Sequence, residues 1–254
     1  MSGLVLTEDL GDGVRKVSLN RPDRLNAIMP ALLDELVEAL AAADRSATVR
    51  AILLTGEGRA FCSGDDLKDF ADQLQGEAGT RAYVERIQDV TRCIVLGDTP
   101  VVGAIRGWAV GGGLEWVINC DFALAAEGTR FFFPEVTWGL FVTGGVTDLL
   151  PRIVGLQRAR ELILFGEKFD ARQAAEWRLI HRVVPDDELL PQATALAKRL
   201  AALPPGPVRD LRRILARRDP AGLEEAMAAE TEATLRGFLD PETAKRVAAF
   251  AAKS

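Results

Sequence analysis

The apolar positions of this chain change their period several times, and each change predicts an element. LVLTEDL (4–10) and VRKVSLN (14–20) are short apolar-rich runs separated by Gly11-Asp12-Gly13, residue types that accept the positive φ of a tight turn, so they predict a β-hairpin. After Pro30, which a first helical turn tolerates, Leu32, Leu33, Leu36, Val37 and Leu40 recur at helical spacing. AILLTGEG (51–58) is a continuous apolar run closed by glycine, the pattern of a buried strand. Val84, Ile87, Ile94 and Val95 return to helical spacing, and VVGAI (101–105) and DFALAAE (121–127) read as further short strands. The order predicts an α/β core in which short strands repeat against covering helices.

From about residue 155 the pattern reads as almost wholly helical, punctuated by Pro204-Pro205-Gly206-Pro207, with Asp219-Pro220 and Asp240-Pro241 as helix starts. Helices that follow a complete α/β core suit assembly. A boundary near residue 196 therefore divides an α/β core, 1–195, from a C-terminal helical assembly region, 196–254.

Composition narrows the function. With 254 residues, 48% of them hydrophobic, the chain can bury a substantial core. Its longest apolar stretches fall far short of the roughly 20 residues of a membrane-spanning helix, and MSGLVLTEDL lacks a basic, then apolar leader. A cytoplasmic address without a membrane partner is expected. The net charge of −6 argues against non-specific attachment to nucleic acid or anionic lipid, which needs an excess of Lys and Arg. Cys62, Cys93 and Cys120 are widely spaced and odd in number, and His181 is the one histidine, so neither a disulfide framework nor a zinc site is suggested. No Walker loop, G-x-G-x-x-G or G-x-S-x-G occurs, which removes the usual nucleotide and serine-hydrolase readings.

The candidate chemistry lies in two glutamates. Glu115 follows the glycine run 111–113 at the start of a predicted helix, and Glu135 follows FFFP (131–134). Two carboxylates held in tightly turned or apolar chain can act as general base and general acid, the minimum equipment for adding or removing water. Each also has a plainer reading alone: an acid after a glycine run complements a helix dipole, and Pro-Glu opens many turns. His181, in RLIHRVVP, reads as a packed or surface residue.

N-R-P-D-R-L-N-A (20–27), F-C-S-G-D-D-L (61–67), G-W-A-V-G-G-G-L-E (107–115), P-E-V-T-W-G-L (134–140) and G-E-K-F-D-A-R-Q-A (166–174) occur in the order and approximate spacing of the crotonase superfamily. The chain resembles an enoyl-CoA hydratase/isomerase from about residue 4 to about residue 200. The resemblance implies a crotonase-like spiral of repeated β-β-α units followed by a C-terminal helical region. It implies an acyl-CoA thioester as substrate, as in fatty acid metabolism, with CoA part of the substrate and no separate cofactor or metal. It places oxyanion-hole N–H groups at Ser63 and Gly112, with Gly111 and Gly113 allowing close approach to the ligand. It makes Glu115 and Glu135 the catalytic acids of a hydratase. Arg24 falls beside the CoA moiety, and the loop of Asp65, Asp66 and Leu67 serves ligand contacts, not metal. Relatives use the terminal helices to form homotrimers, often paired into dimers of trimers.

Alternatives stay open within the resemblance: a double-bond isomerase, which needs one base, a specialised ring-acyl hydratase or hydrolase, or a non-catalytic binding homologue. Retention of both glutamates leans towards hydration. Arg209, Arg212, Arg213, Arg217 and Arg218 read either as a solvated helix face or as a contact to CoA phosphates. The chain also departs from the family pattern, with Val142 where a proline is usual and Thr143 and Val146 where glycines are. Trp108, Trp116, Trp138 and Phe141 cluster around the motifs, either lining a pocket for a bulky acyl group or packing the core.

Overall fold

The computed structural model describes residues 3–66, 76–216 and 220–251. Strands β1 (Val5–Asp9) and β2 (Val14–Leu19) form the predicted antiparallel hairpin. All three residues of its turn take positive φ: Gly11 74°, Asp12 53° and Gly13 78°. Helix α1 (Pro30–Arg45) buries Leu32, Leu33, Leu36 and Leu40, the predicted stripe. β3 (Ala51–Gly56) is buried along its whole length because both faces are covered. Its Ile52 and Leu54 pack with α1 and with α2 (Gly76–Val95), while Ala51 and Leu53 pack with α8 (Leu189–Ala201) on the other side.

β4 (Val101–Ile105), β6 (Phe122–Ala126) and β9 (Arg182–Val184) extend this layer into a six-stranded sheet in the order β1-β2-β3-β4-β6-β9, parallel beyond the hairpin. A second sheet joins β5 (Trp108–Val110), β7 (Arg130–Phe132) and β8 (Phe169–Asp170). The α/β architecture is the expected one. The region after 155 is almost wholly helical, as expected, with two short strands set among its helices. α5 (Val146–Val154), α6 (Leu156–Phe165) and α7 (Ala171–Glu176) are interleaved with β8 and β9, strands of two and three residues. So short a strand shows no alternation of its own; its partners in β7 and β6 define it.

The division drawn at residue 196 falls inside α8, whose Ala193, Ala197 and Ala201 seal the sheet. Three further helices follow, α9 (Pro205–Ala216), α10 (Pro220–Leu239) and α11 (Pro241–Ala251), the last two starting at the predicted prolines. Two arginines of the basic cluster on α9, Arg212 and Arg213, are bonded to the core and not simply solvated. Arg212 is buried, donates to the carbonyls of Ile94 (2.7 Å) and Gly97 (3.2 Å) at the end of α2, and pairs with Asp121. Arg213 forks onto Asp98 at 2.7 and 2.6 Å. Planar guanidinium groups thus satisfy carbonyls that a helix end leaves open and pin α9 to the core. Arg217 and Arg218 lie outside the described residues, as does Leu67. Among the described residues no helix is long and apolar enough to cross a membrane.

Candidate active site

The loop 61–66 is threaded between the two layers. Cys62 donates its N–H to the Trp108 carbonyl (3.0 Å) and accepts from Val110 N–H (3.0 Å), and bridges tie Cys62 to Ala109 and Asp65 to Ile28. This puts Ser63 beside the turn from β5 into α3 (Gly112–Asn119). The segment before it is equally constrained. A 3-10 turn, Pro22–Arg24, runs into Leu25 (φ 51°) and Asn26 (φ 55°), both left-handed. Asn26 is buried and holds that conformation, accepting from Arg21 N–H (2.7 Å) and donating to the carbonyls of Glu57 (3.0 Å) and Ala60 (2.8 Å). Asparagine tolerates the left-handed region better than other residues with a Cβ.

Two adjacent spaces result. The wider is a cavity of about 560 Å³, a size suited to a large small-molecule ligand, walled in part by Arg24, Ser63, Gly111, Glu135, Trp138 and Lys168. The narrower, about 20 Å³, lies beyond it between Gly112, Glu115, Glu135, Phe141, Thr143 and Phe238. That volume accommodates roughly one water. Asp65 and Glu135 belong to both walls. The two sequence-predicted acids are therefore brought together.

Glycines make the room. Gly111 has φ 52°, and any Cβ there would run into Glu135 Oε1; Gly144 has φ 63°, and a Cβ would lie 2.8 Å from Glu115 Oε2. At Gly113 a Cβ would meet the Cys62 carbonyl at 2.8 Å. At Gly111 and Gly113 protein groups, Glu135 and Cys62, already leave no room for a Cβ.

The acids differ in their surroundings. Glu115 is 1% exposed, and Thr143 grips it twice, its N–H to Oε1 and its hydroxyl to Oε2, both at 2.7 Å. Glu135, at the first turn of α4 (Glu135–Trp138), keeps a buried Oε2 with no hydrogen-bond partner. Burial raises both carboxyls above the usual range, and each is pushed further by neighbouring acids, Glu230 and Asp65 acting on Glu115, and Glu115 on Glu135. Two like charges this close are not both tolerated near neutrality. Thr143 donors favour the charge on Glu115, so of the two carboxyls Glu135 holds its proton the more firmly.

The loop carrying Thr143 is itself anchored. Glu230 of α10, 1% exposed, accepts from the N–H groups of Gly145 (2.9 Å) and Thr147 (2.8 Å) and from the Thr147 hydroxyl (2.6 Å) at the start of α5. Sequence reasoning noted Thr143 as a departure but missed both it and Glu230 as partners. Thr234 and Phe238 of α10, which close the narrow cavity, were missed as well.

The expected oxyanion donors have unequal standing. Gly112 opens α3, where a helix provides no carbonyl for its N–H, and it faces the narrow cavity. Ser63 N–H already donates to the Leu25 carbonyl at 3.1 Å. The two aspartates also diverge. Asp66 is buried, pairs with Arg21 at 2.6 Å and lines the wide cavity, whereas Asp65 lines both cavities. Trp108 and Trp138 wall the wide cavity and Phe141 the narrow one, but Trp116 is wholly buried in the core and lines neither. His181 packs edge-on against Phe122, 5.1 Å between ring centres, outside both walls.

Known proteins resemble this chain in sequence and fold. The enoyl-CoA hydratase/isomerase family model matches residues 9–253. A probable enoyl-CoA hydratase of Mycobacterium bovis is 31% identical over 237 residues, covering 93% of this chain and 91% of that protein. The 1,2-epoxyphenylacetyl-CoA isomerase of Escherichia coli is 38% identical over 194 residues, 76% of this chain and 74% of its own. The crystal structure of an enoyl-CoA hydratase/isomerase from Xanthobacter autotrophicus Py2 superposes with a TM-score of 0.89 at 33% identity, covering 96% of this chain and 91% of that one. A match across nearly the whole length, with crotonase-fold neighbours, settles the lineage: this chain is an enzyme of the enoyl-CoA hydratase/isomerase family.

Proposed function

We propose that the enzyme adds water across the 2,3 double bond of a 2-enoyl-CoA. The observation that carries this reading is the water-sized space shared by Glu115, Glu135 and Gly112. With the thioester oxygen at Gly112 N–H, a water in that space gives a proton to ionised Glu115 as its oxygen bonds to Cβ. Electrons move to the thioester oxygen, and the enolate collapses as Cα takes the proton of Glu135. The product is a 3-hydroxyacyl-CoA. The second oxyanion donor, Ser63 N–H, is shared with or taken over from the Leu25 carbonyl.

Arg24, Arg59 and Lys168 stand exposed on the rim of the wide cavity, cations suited to the CoA phosphates. Proton transfers of this kind call for neither metal nor redox cofactor, and the cytoplasmic address expected from the sequence stays part of the reading. Conversion of crotonyl-CoA to 3-hydroxybutanoyl-CoA, followed as loss of the conjugated thioester, tests it.

A second reading, movement of the double bond, has one observation in its favour. Thr143 favours the charge on Glu115, which can then be the one base that isomerisation needs, and Glu135, whose Oε2 has no partner, can return the proton.

The assembly belongs to the same proposal. Leu211, Ile214 and Leu215 on α9, and Leu156, Leu164 and Phe165 on α6, are each more than half exposed. Apolar surface left in water forgoes roughly 25 cal/mol per Å² of burial. A homotrimer or dimer of trimers covering these faces is expected by light scattering; a fully active monomer would overturn it.

A further inference from the structure

Asp65 and Asp66 are neighbours with opposite fates. Asp66 is spent on Arg21, but Asp65 meets no cation among the described residues. Its one hydrogen-bond partner there is Tyr83, the only tyrosine of the chain, which lies on the inner face of α2, 8% exposed, and donates its hydroxyl to Asp65 Oδ1 at 2.7 Å. Among the described residues Oδ2 has no protein partner, and the carboxyl forms part of both cavity walls. The reaction proposed above uses Glu115 and Glu135 and has no task for this third acid.

The space beyond the catalytic pair is small and mixed in character. Val84, Ile87, Leu140, Phe141 and Phe238 make it apolar, and its roughly 20 Å³ is taken by the attacking water, so an acyl tail meets Asp65 from the wide cavity, whose wall Asp65 also forms. The polar wall groups of the narrow space apart from the catalytic pair are Asp65, Thr143 and Thr234. Thr143 is turned onto Glu115, and the Thr234 hydroxyl donates to the Phe141 carbonyl at 3.2 Å. Asp65 is left as an acceptor. Burial lifts its carboxyl to about 6, which still leaves it mostly ionised at neutral pH.

Resting on the enoyl-CoA reading, the geometry points to Asp65, braced by Tyr83, as a specificity-determining residue that selects short acyl groups bearing a hydrogen-bond donor, a hydroxyl above all, at the end remote from the thioester. A plain alkyl tail packed against Asp65 strips water from Oδ2 and leaves it unpaired, and a carboxylated tail adds a like charge beside three acids. Sites built to bond a substrate hydroxyl reject the analogue that lacks it far more strongly than apolar pockets reject a methylene.

Binding of saturated four-carbon thioesters separates this inference from the hydratase reading, because binding needs no turnover. Calorimetric titration of the full-length protein with 4-hydroxybutanoyl-CoA, butanoyl-CoA and succinyl-CoA is expected to show the hydroxylated ligand held about tenfold or more tighter than butanoyl-CoA, and succinyl-CoA the weakest. Asp65→Ala should bring the hydroxylated-to-plain ratio to within about twofold of one, and Tyr83→Phe should lower it part of the way. Asp65→Asn, neutral but still an acceptor, should relax the rejection of succinyl-CoA most. Equal affinities in the parent protein, or a ratio that survives Asp65→Ala, would overturn the inference. Failure to hydrate both crotonyl-CoA and 4-hydroxycrotonyl-CoA bears on the earlier reading alone.

Discussion

Glu115→Gln and Glu135→Gln should each lower kcat by about 10²-fold or more, since positioned general acids and bases supply that much. Both substitutions keep shape and hydrogen-bonding capacity, so CoA-thioester binding should persist. Glu115 sits against Thr143 and Gly144, and an amide fits there because the Thr143 hydroxyl can accept as well as donate. Parental rates in either variant would remove that residue from the mechanism. The pH profile carries further information. The productive state has one proton on the pair, so the rate should climb as the first proton leaves and fall as the second does, each limb belonging to the pair and not to one residue. Thr143→Val deletes a donor to ionised Glu115, which raises its pKa. The acid limb should therefore move to higher pH by about one unit, the equivalent of a hydrogen bond to a charged group. A uniform loss of rate with both limbs unmoved would reduce Thr143 to a structural support.

Gly112→Pro should abolish turnover, because proline removes the N–H while its fixed φ suits the first position of a helix. Removal of one oxyanion donor costs about 10²–10³ in kcat in comparable sites. A control is needed, since any Cβ at this position comes within 2.7 Å of Ile28 Cδ1. Gly112→Ala brings the same crowding and keeps the N–H, so it should retain far more activity than Gly112→Pro. Equal losses in the two variants would assign the effect to sterics. Ser63→Ala should be mild, as the donor proposed there is backbone.

Much of this arrangement was legible in the sequence where local pattern decides. The hairpin turn, the leucine stripe of α1 and the run 51–56 each carry their own period, and the glycine run before Glu115 announces a tight helix entry. What was not legible depends on partners distant along the chain. Glu115 and Thr143 are 28 residues apart, and Glu230 reaches back 85 residues to Gly145. Nothing in the dipeptide 65–66 says which aspartate pairs with Arg21, 45 residues earlier than Asp66. The arginines of α9 look solvated until the carbonyls at the end of α2 are seen to need them. Strand β9, too short to show alternation, is defined by β6 alone.

The central claim, that the paired glutamates add water and do not merely move a double bond, is tested most directly by product analysis in heavy water. Incubation of crotonyl-CoA with the enzyme in D₂O, followed by mass spectrometry and NMR of the thioester, should give 3-hydroxybutanoyl-CoA bearing a single deuterium at Cα. Exchange or migration of the double bond without a water adduct, or recovery of unchanged crotonyl-CoA, would contradict it.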